Sequence, residues 1–171
     1  EGKRVPLRVV RMGHPARLLP AVLERSLDAL VRQSNGAAVA SGLRADAAAA
    51  SRRLLKVQAR GERRSLQSEV RRVKKELMSV EREAVDRVLK EASVVVCTLT
   101  GASSKKLDAL PAFDVVVIDE AAQALEVACL LPILRGKRLL LAGDHLQLAP
   151  TVRSGRAAAE GLACTLFERL I

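Results

Sequence analysis

Three short stretches, Ser93 to Thr98 (SVVVCT), Phe113 to Asp119 (FDVVVID) and Arg138 to Ala142 (RLLLA), are apolar without alternation. A strand with one wet face alternates apolar and polar residues, so runs of this kind predict strands covered on both faces. Helix-forming stretches around Ser103 to Leu110 and Ala121 to Leu134 separate them. Strand, helix and strand in that order predict an α/β fold, a parallel sheet covered by helices. Pro6 to Met12 (PLRVVRM) adds a fourth candidate strand, followed by a turn at Gly13-His14-Pro15 and one amphipathic helix through Leu18, Val22, Leu23, Leu27, Leu30 and Val31. Loops leaving the C-terminal ends of parallel strands are where such folds bind ligands.

The middle of the chain has another period. Leu66, Val70, Val73, Leu77, Val80 and Ala84 recur at steps of four and three, and Leu43, Ala47, Ala50, Leu54 and Val57 repeat the pattern. This is the seam two packed helices need, so the expectation is an antiparallel helical hairpin broken near Gly61. Glu83 with Arg87 and Asp86 with Lys90 are spaced as i,i+4 pairs with the acid first. The resulting organisation is a strand, turn and helix over 1–36, the hairpin over 37–91 and the remaining sheet over 92–171.

Composition narrows the function. The chain has 171 residues, 29 Lys+Arg against 19 Asp+Glu and a hydrophobic fraction of 49%, which excludes a disordered tail. No apolar stretch approaches the roughly 20 residues of a membrane span. The positive excess lies wholly in residues 1–90, with 21 basic and 10 acidic side chains, and residues 52–90 alone hold 13 and 6. Phe113 and Phe167 are the only aromatic residues, too few for a surface that grips bases by stacking. Cys97, Cys129 and Cys164 fit neither a disulfide framework nor a zinc site and are expected to be buried thiols.

Two segments carry chemistry. In VVVIDEAAQALE, residues 115–126, an apolar strand delivers Asp119 and Glu120 side by side. Burying two like charges is costly, and a divalent cation with a phosphate ligand compensates: Asp119 would hold Mg²⁺ while Glu120 orients and deprotonates the attacking water. A solvated pair capping the next helix is the alternative. In LLLAGDHLQLAP, residues 139–150, Gly143 lets the backbone turn, Asp144 accepts hydrogen bonds, and the Gln147 amide can touch a phosphate oxygen or water. A plain turn with a surface histidine is the alternative there. His145 has no second histidine or thiolate at ligand spacing.

DEAAQALE followed by GDHLQLAP resembles motifs II and III of superfamily 1 nucleic-acid helicases, specifically their 5′-to-3′ group. RMGHPARLLPAVLERSLDA at 11–29, the hairpin, and ASVVVCTLTGASSKKL at 92–107 are similar to the same group in the same order, from about Val5 to Ile171. The resemblance implies a partial RecA-like sheet with flanking helices and an inserted hairpin stalk. It implies ATP and Mg²⁺ as cofactors, with Asp119 associated with the metal and Glu120 as catalytic base. Gln123, Gly143 and Asp144 fall among the nucleotide-binding motifs, and Gln147 matches the glutamine at the γ-phosphate. Thr98, Thr100, Gly101, Ala102 and Ser103 match a loop that contacts single-stranded RNA or DNA. A hydroxyl-rich loop with a glycine suits close contact with phosphates. Ala149 departs from the proline or glycine of relatives, a small change in loop stiffness.

ATP hydrolysis by such a fold needs a loop of the form Gly-x-x-x-x-Gly-Lys followed by Ser or Thr. These residues contain none: Gly2-Lys3 and Gly136-Lys137 are each followed by arginine and lack the upstream glycine. The chain opens on Glu1, and the expectation is part of a first motor domain, negligibly active by itself, monomeric and cytoplasmic, nuclear or both. The competing expectation is a non-catalytic basic helical module that binds nucleic acid or an acidic partner. A third is a solvated coiled coil whose charge has no ligand.

Overall fold

All four expected strands form, each shortened to three residues. The structure, a computed structural model, describes residues 7–14 and 18–171, so Pro6 and Pro15 of the expected strand and turn lie outside the described residues. The chain divides into two compact units, Glu1–Val96 and Cys97–Ile171.

In the first unit, β1 (Val9–Arg11) pairs in parallel with β2 (Val94–Val96), with Val10 opposite Val95. The single helix expected after β1 is two, α1 (Pro20–Leu23) and α2 (Leu27–Gln33). Ser26 makes the break. Its buried hydroxyl donates to the Leu23 carbonyl at 2.7 Å and accepts from the Ala29 amide at 3.3 Å, ending one helix and capping the next.

Helices α3 (Ala37–Lys56) and α4 (Arg60–Lys90) follow. They pack antiparallel: Gly36 at the start of α3 faces Ala84 and Val80 late in α4, and Arg44 reaches Glu81. Of the expected seam, Ala47 and Ala50 of α3 and Leu66, Val70, Val73 and Ala84 of α4 are buried, Leu43, Leu54, Val57, Leu77 and Val80 are half-buried, and Ala40 joins the buried set. The break lies at Val57–Ala59, one turn before Gly61, which sits in the first turn of α4. Glycine costs little there, because first-turn amides lack intrahelical partners in any case. The acid-first pairs on α4 do not form among the described residues. Glu83 accepts from the Ser79 hydroxyl at 3.2 Å instead, and the pair that does form is Arg44 with Glu81, at 2.6 Å.

In the second unit, β3 (Val116–Ile118) pairs in parallel with β4 (Leu139–Leu141) across α5 (Glu126–Ile133). Among the described residues the strands thus form two parallel pairs, where one sheet was expected. Coverage is one-sided as well. Ile118 packs with Ala121, Cys129 and Leu166, whereas Val117 is 59% and Leu140 55% exposed. Alternate strand residues face opposite ways, and the helices of the unit cover one face of β3.

Two further expectations change. The stretch 103–110 forms two short 3₁₀ turns, Thr100–Ser103 and Lys105–Leu107, in place of a helix, because serine hydroxyls compete for the backbone. Ser103 donates to the Thr100 carbonyl at 2.7 Å, and Ser104 accepts from the Lys106 amide. The stretch 121–134 begins as a 3₁₀ turn, Ala121–Gln123, and becomes α5 only after an extended Ala124. The chain ends in α6 (Gly155–Ala157) and α7 (Leu166–Leu170), the latter capped by the buried Thr165 hydroxyl.

Candidate nucleotide and nucleic-acid site

All the site residues expected from sequence lie in the second unit. Strand β3 stops at the buried Ile118, and the next two side chains emerge into solvent. Asp119 and Glu120 are therefore exposed, so the expected burial of two like charges is not what a cation would relieve. Asp119 Oδ1 accepts the Glu120 amide at 3.0 Å, and Glu120 Oε2 accepts Gln123 Nε2 at 2.9 Å. Neither carboxylate caps the turn that follows, which counts against the capping alternative. Among the described residues no cationic side chain pairs with either one.

Glu120 also has the backbone of a glycine. Its φ of 53° and ψ of 38° are left-handed, the only such non-glycine among the described residues. This conformation costs a β-carbon residue about 1 kcal/mol or more. Tertiary bonds hold it: the Ala121 amide donates to the Ala142 carbonyl at 2.8 Å, and the Ala142 amide to the Ile118 carbonyl at 2.9 Å. The end of β4 thus clamps the acidic turn from both sides.

Gly143 follows that clamp. A β-carbon there would stand 3.0 Å from the Ala122 nitrogen and 3.1 Å from the Ala121 nitrogen, so only glycine lets the two motifs approach so closely. Beyond it, residues 143–149 are exposed. Asp144 Oδ1 accepts the Leu146 amide at 2.9 Å and Oδ2 accepts Gln147 Nε2 at 3.2 Å. These bonds, the Leu146 amide first and the Gln147 amide next, hold the Asp144 carboxyl below the usual carboxylate range. Each candidate glutamine is therefore docked on a carboxylate, Gln123 on Glu120 and Gln147 on Asp144.

The threonine loop shares the core beneath the acidic turn, because Leu99 packs against the cluster of Ile118, Ala121, Cys129 and Leu166. Thr98 and Thr100 are exposed with their hydroxyl oxygens 3.3 Å apart, and the Gly101 amide donates to Thr98 Oγ1 at 3.1 Å. Ser103 is exposed too. Ala102 differs: it is buried, and its amide is bonded to the Thr98 and Leu99 carbonyls, so it supports the loop without facing a ligand. Arg135 went unnoticed in the sequence. Its guanidinium donates to the Ala102 carbonyl at 3.1 Å and to Asp108 at 2.8 Å, pinning the loop from 33 residues away, and no local pattern marks it.

Of the thiols only Cys129 is fully buried, and burial raises its pKa, with Glu126 adding to the shift. Cys97 is half-buried and likewise raised, while Cys164 is exposed, contrary to expectation. Among the described residues no helix is long and apolar enough to cross a membrane, and no group of three or more His, Cys, Asp or Glu forms a metal cage. A single carboxylate with waters and phosphate oxygens is nevertheless how Mg²⁺ is commonly held, and an exposed all-oxygen pair without a competing cation fits it.

Residues 1–155 match the model of a family described as AAA domain. The chain belongs to that family. The mouse (Mus musculus) DNA-binding protein SMUBP-2 is 45% identical over 166 residues, covering 95% of this AAA-domain chain and 17% of the mouse protein. DNA polymerase alpha-associated DNA helicase A of Schizosaccharomyces pombe is 40% identical over 163 residues, 95% of this chain and 24% of its own length. ATP-dependent helicase NAM7 of Saccharomyces cerevisiae is 45% identical over 98 residues, 57% of this chain and 10% of that protein. These names agree with the resemblance to superfamily 1 helicases read from motifs II and III. The chain spans less than a quarter of the length of these curated relatives.

Proposed function

We propose that this chain is the segment of an ATP-dependent, 5′-to-3′ nucleic-acid helicase that manages metal and water at hydrolysis and one contact with the bound strand. The observation that carries the reading is the exposed Asp119–Glu120 pair, clamped at the end of β3 with no cationic side chain among the described residues paired to it. Asp119 is the residue to hold Mg²⁺. Bound there, the ion would neutralise phosphate oxygens and order the surrounding waters. Glu120, held by the Gln123 amide, is the group to orient the attacking water and take its proton. Gln147 is one hydrogen bond from release, so exchanging Asp144 for a phosphate oxygen would couple nucleotide state to the exposed loop. The hydroxyls of Thr98, Thr100 and Ser103 are the donors for a single-stranded RNA or DNA backbone, with Gly101 permitting the approach.

The phosphate-cradling loop is absent from these 171 residues, so the chain by itself is expected to hydrolyse ATP negligibly. Turnover by the pure chain well above buffer background would overturn that. The parent protein is taken to act as a monomer in the cytoplasm, the nucleus or both. Glu120→Gln in the parent should cut ATP turnover by about 10²- to 10⁴-fold, the span of a general base, and leave nucleotide binding intact. Unchanged turnover would sink the motor reading and leave a non-catalytic basic module in its place.

A further inference from the structure

One stripe of α4 carries only basic charges between Arg60 and Arg82, while Arg63, Arg72, Lys74, Arg87 and Lys90 lie elsewhere around the helix. Arg60, Arg64, Arg71, Lys75 and Arg82 follow one another at steps of four and seven, and all five are exposed. At 3.6 residues per turn they lie within roughly 60° of one another, on the side of the helix opposite the seam. Glu62, Glu69, Glu76 and Glu83, each seven residues after the last, run along a separate stripe beside the seam. The helix thus carries like charges at i,i+4, Arg60 with Arg64 and Arg71 with Lys75, where interleaved acids would have stabilised it. Among the described residues none of the five cations is paired with a carboxylate.

We propose that this stripe is a docking surface for the phosphate backbone of a nucleic-acid duplex, separate from the threonine loop. From Arg60 to Arg82 the row runs roughly 33 Å along a straight helix, a rod of positive charge suited to a rod of negative charge. The duplex is favoured over a single strand because α3 and α4 contain no aromatic residue on which an unpaired base could stack. A duplex turns its bases inward and presents phosphates, which is all that guanidinium and ammonium groups need. Binding here is indifferent to sequence and is read without ATP, so it stands apart from the nucleotide site.

The test is made on the parent protein, with a blunt 20-base-pair duplex and a 20-nucleotide single strand titrated without nucleotide across 50–200 mM salt. The combined variant Arg64→Gln, Arg71→Gln, Lys75→Gln and Arg82→Gln should weaken duplex binding at least about tenfold and flatten the salt slope by about three to four. Single-strand affinity should stay within about twofold. Neutralising Glu62, Glu69, Glu76 and Glu83 to Gln, the same number of charges on the other face, should leave the duplex salt slope unchanged. Circular dichroism checks that α4 is intact, and the pair Arg64→Gln and Lys75→Gln replaces the fourfold variant if it is not, with about half the change in slope. The proposal is overturned if the parent protein does not bind the duplex at 50 mM salt, or if duplex affinity and slope survive the substitutions. Equal losses for duplex and single strand overturn it too, as does a loss confined to an acidic polypeptide such as polyglutamate.

Discussion

The hairpin and the 97–171 unit hold themselves together by opposite means. The hairpin buries small residues along a repeating seam, Ala40, Ala47 and Ala50 on α3 and Leu66, Val70, Val73 and Ala84 on α4, so its stability is spread over many similar contacts. The second unit has three-residue strands, short 3₁₀ turns and a small core, and it is positioned by a few unrepeated approaches: Gly143 on the Ala121 and Ala122 amides, Arg135 on the Ala102 carbonyl, Ala142 on the acidic turn. Repetition gives a dependable spacer. Singular contacts give a site, since chemistry needs particular atoms in particular places.

The sharpest way to break the comparison is Leu66→Ala, which empties the seam at one of its most buried positions. It should cost about 2–5 kcal/mol of stability, read by urea denaturation, while nucleotide affinity of the folded parent protein stays unchanged. Altered nucleotide affinity would mean that the two regions are not independent. Gly143→Ala is the converse case, with a methyl driven against two backbone nitrogens. About 1–3 kcal/mol of destabilisation is expected, with loss of ATP turnover in the parent protein even at temperatures where it stays folded. Full turnover would show that the close approach is dispensable.

Smaller effects sharpen the contrast. Arg44→Ala removes an ion pair whose partners are 54% and 39% exposed, and it should change stability by no more than about 1 kcal/mol. Between α5 and α7, the Arg169 guanidinium donates to Glu126 and holds its carboxyl below the usual range. That contact stabilises the folded unit fully above the ordinary glutamate pKa, and its contribution is lost as pH falls through the lowered value. Glu126→Gln should therefore lower the neutral plateau of the melting temperature slightly and flatten its acid limb, so that variant and wild type converge at low pH.

Much of this was legible in the residues. The positions of all four strands follow from their apolar runs, and the hairpin seam follows from its period, because burial repeats where sequence repeats. The ends of elements were less so. Ser26 splits a helix by bonding to two backbone groups at once, and Val57 to Ala59 end α3 although Gly61 is the more obvious break. In the candidate site, the residue types announced themselves, with two acids after a strand and an amide after Gly-Asp. Their partners did not. Arg135, the pairing of each glutamine with a carboxylate and the inward turn of Ala102 arise from distant chain segments, which no local pattern encodes.

The left-handed backbone at Glu120 sets folding and chemistry against each other. Glycine would sit there at ease, relieving about 1 kcal/mol that glutamate must bear. Evolving this domain in the laboratory for heat resistance alone would thus reward Glu120→Gly, and the winners would be sturdier proteins from which the proposed proton acceptor had been bred away.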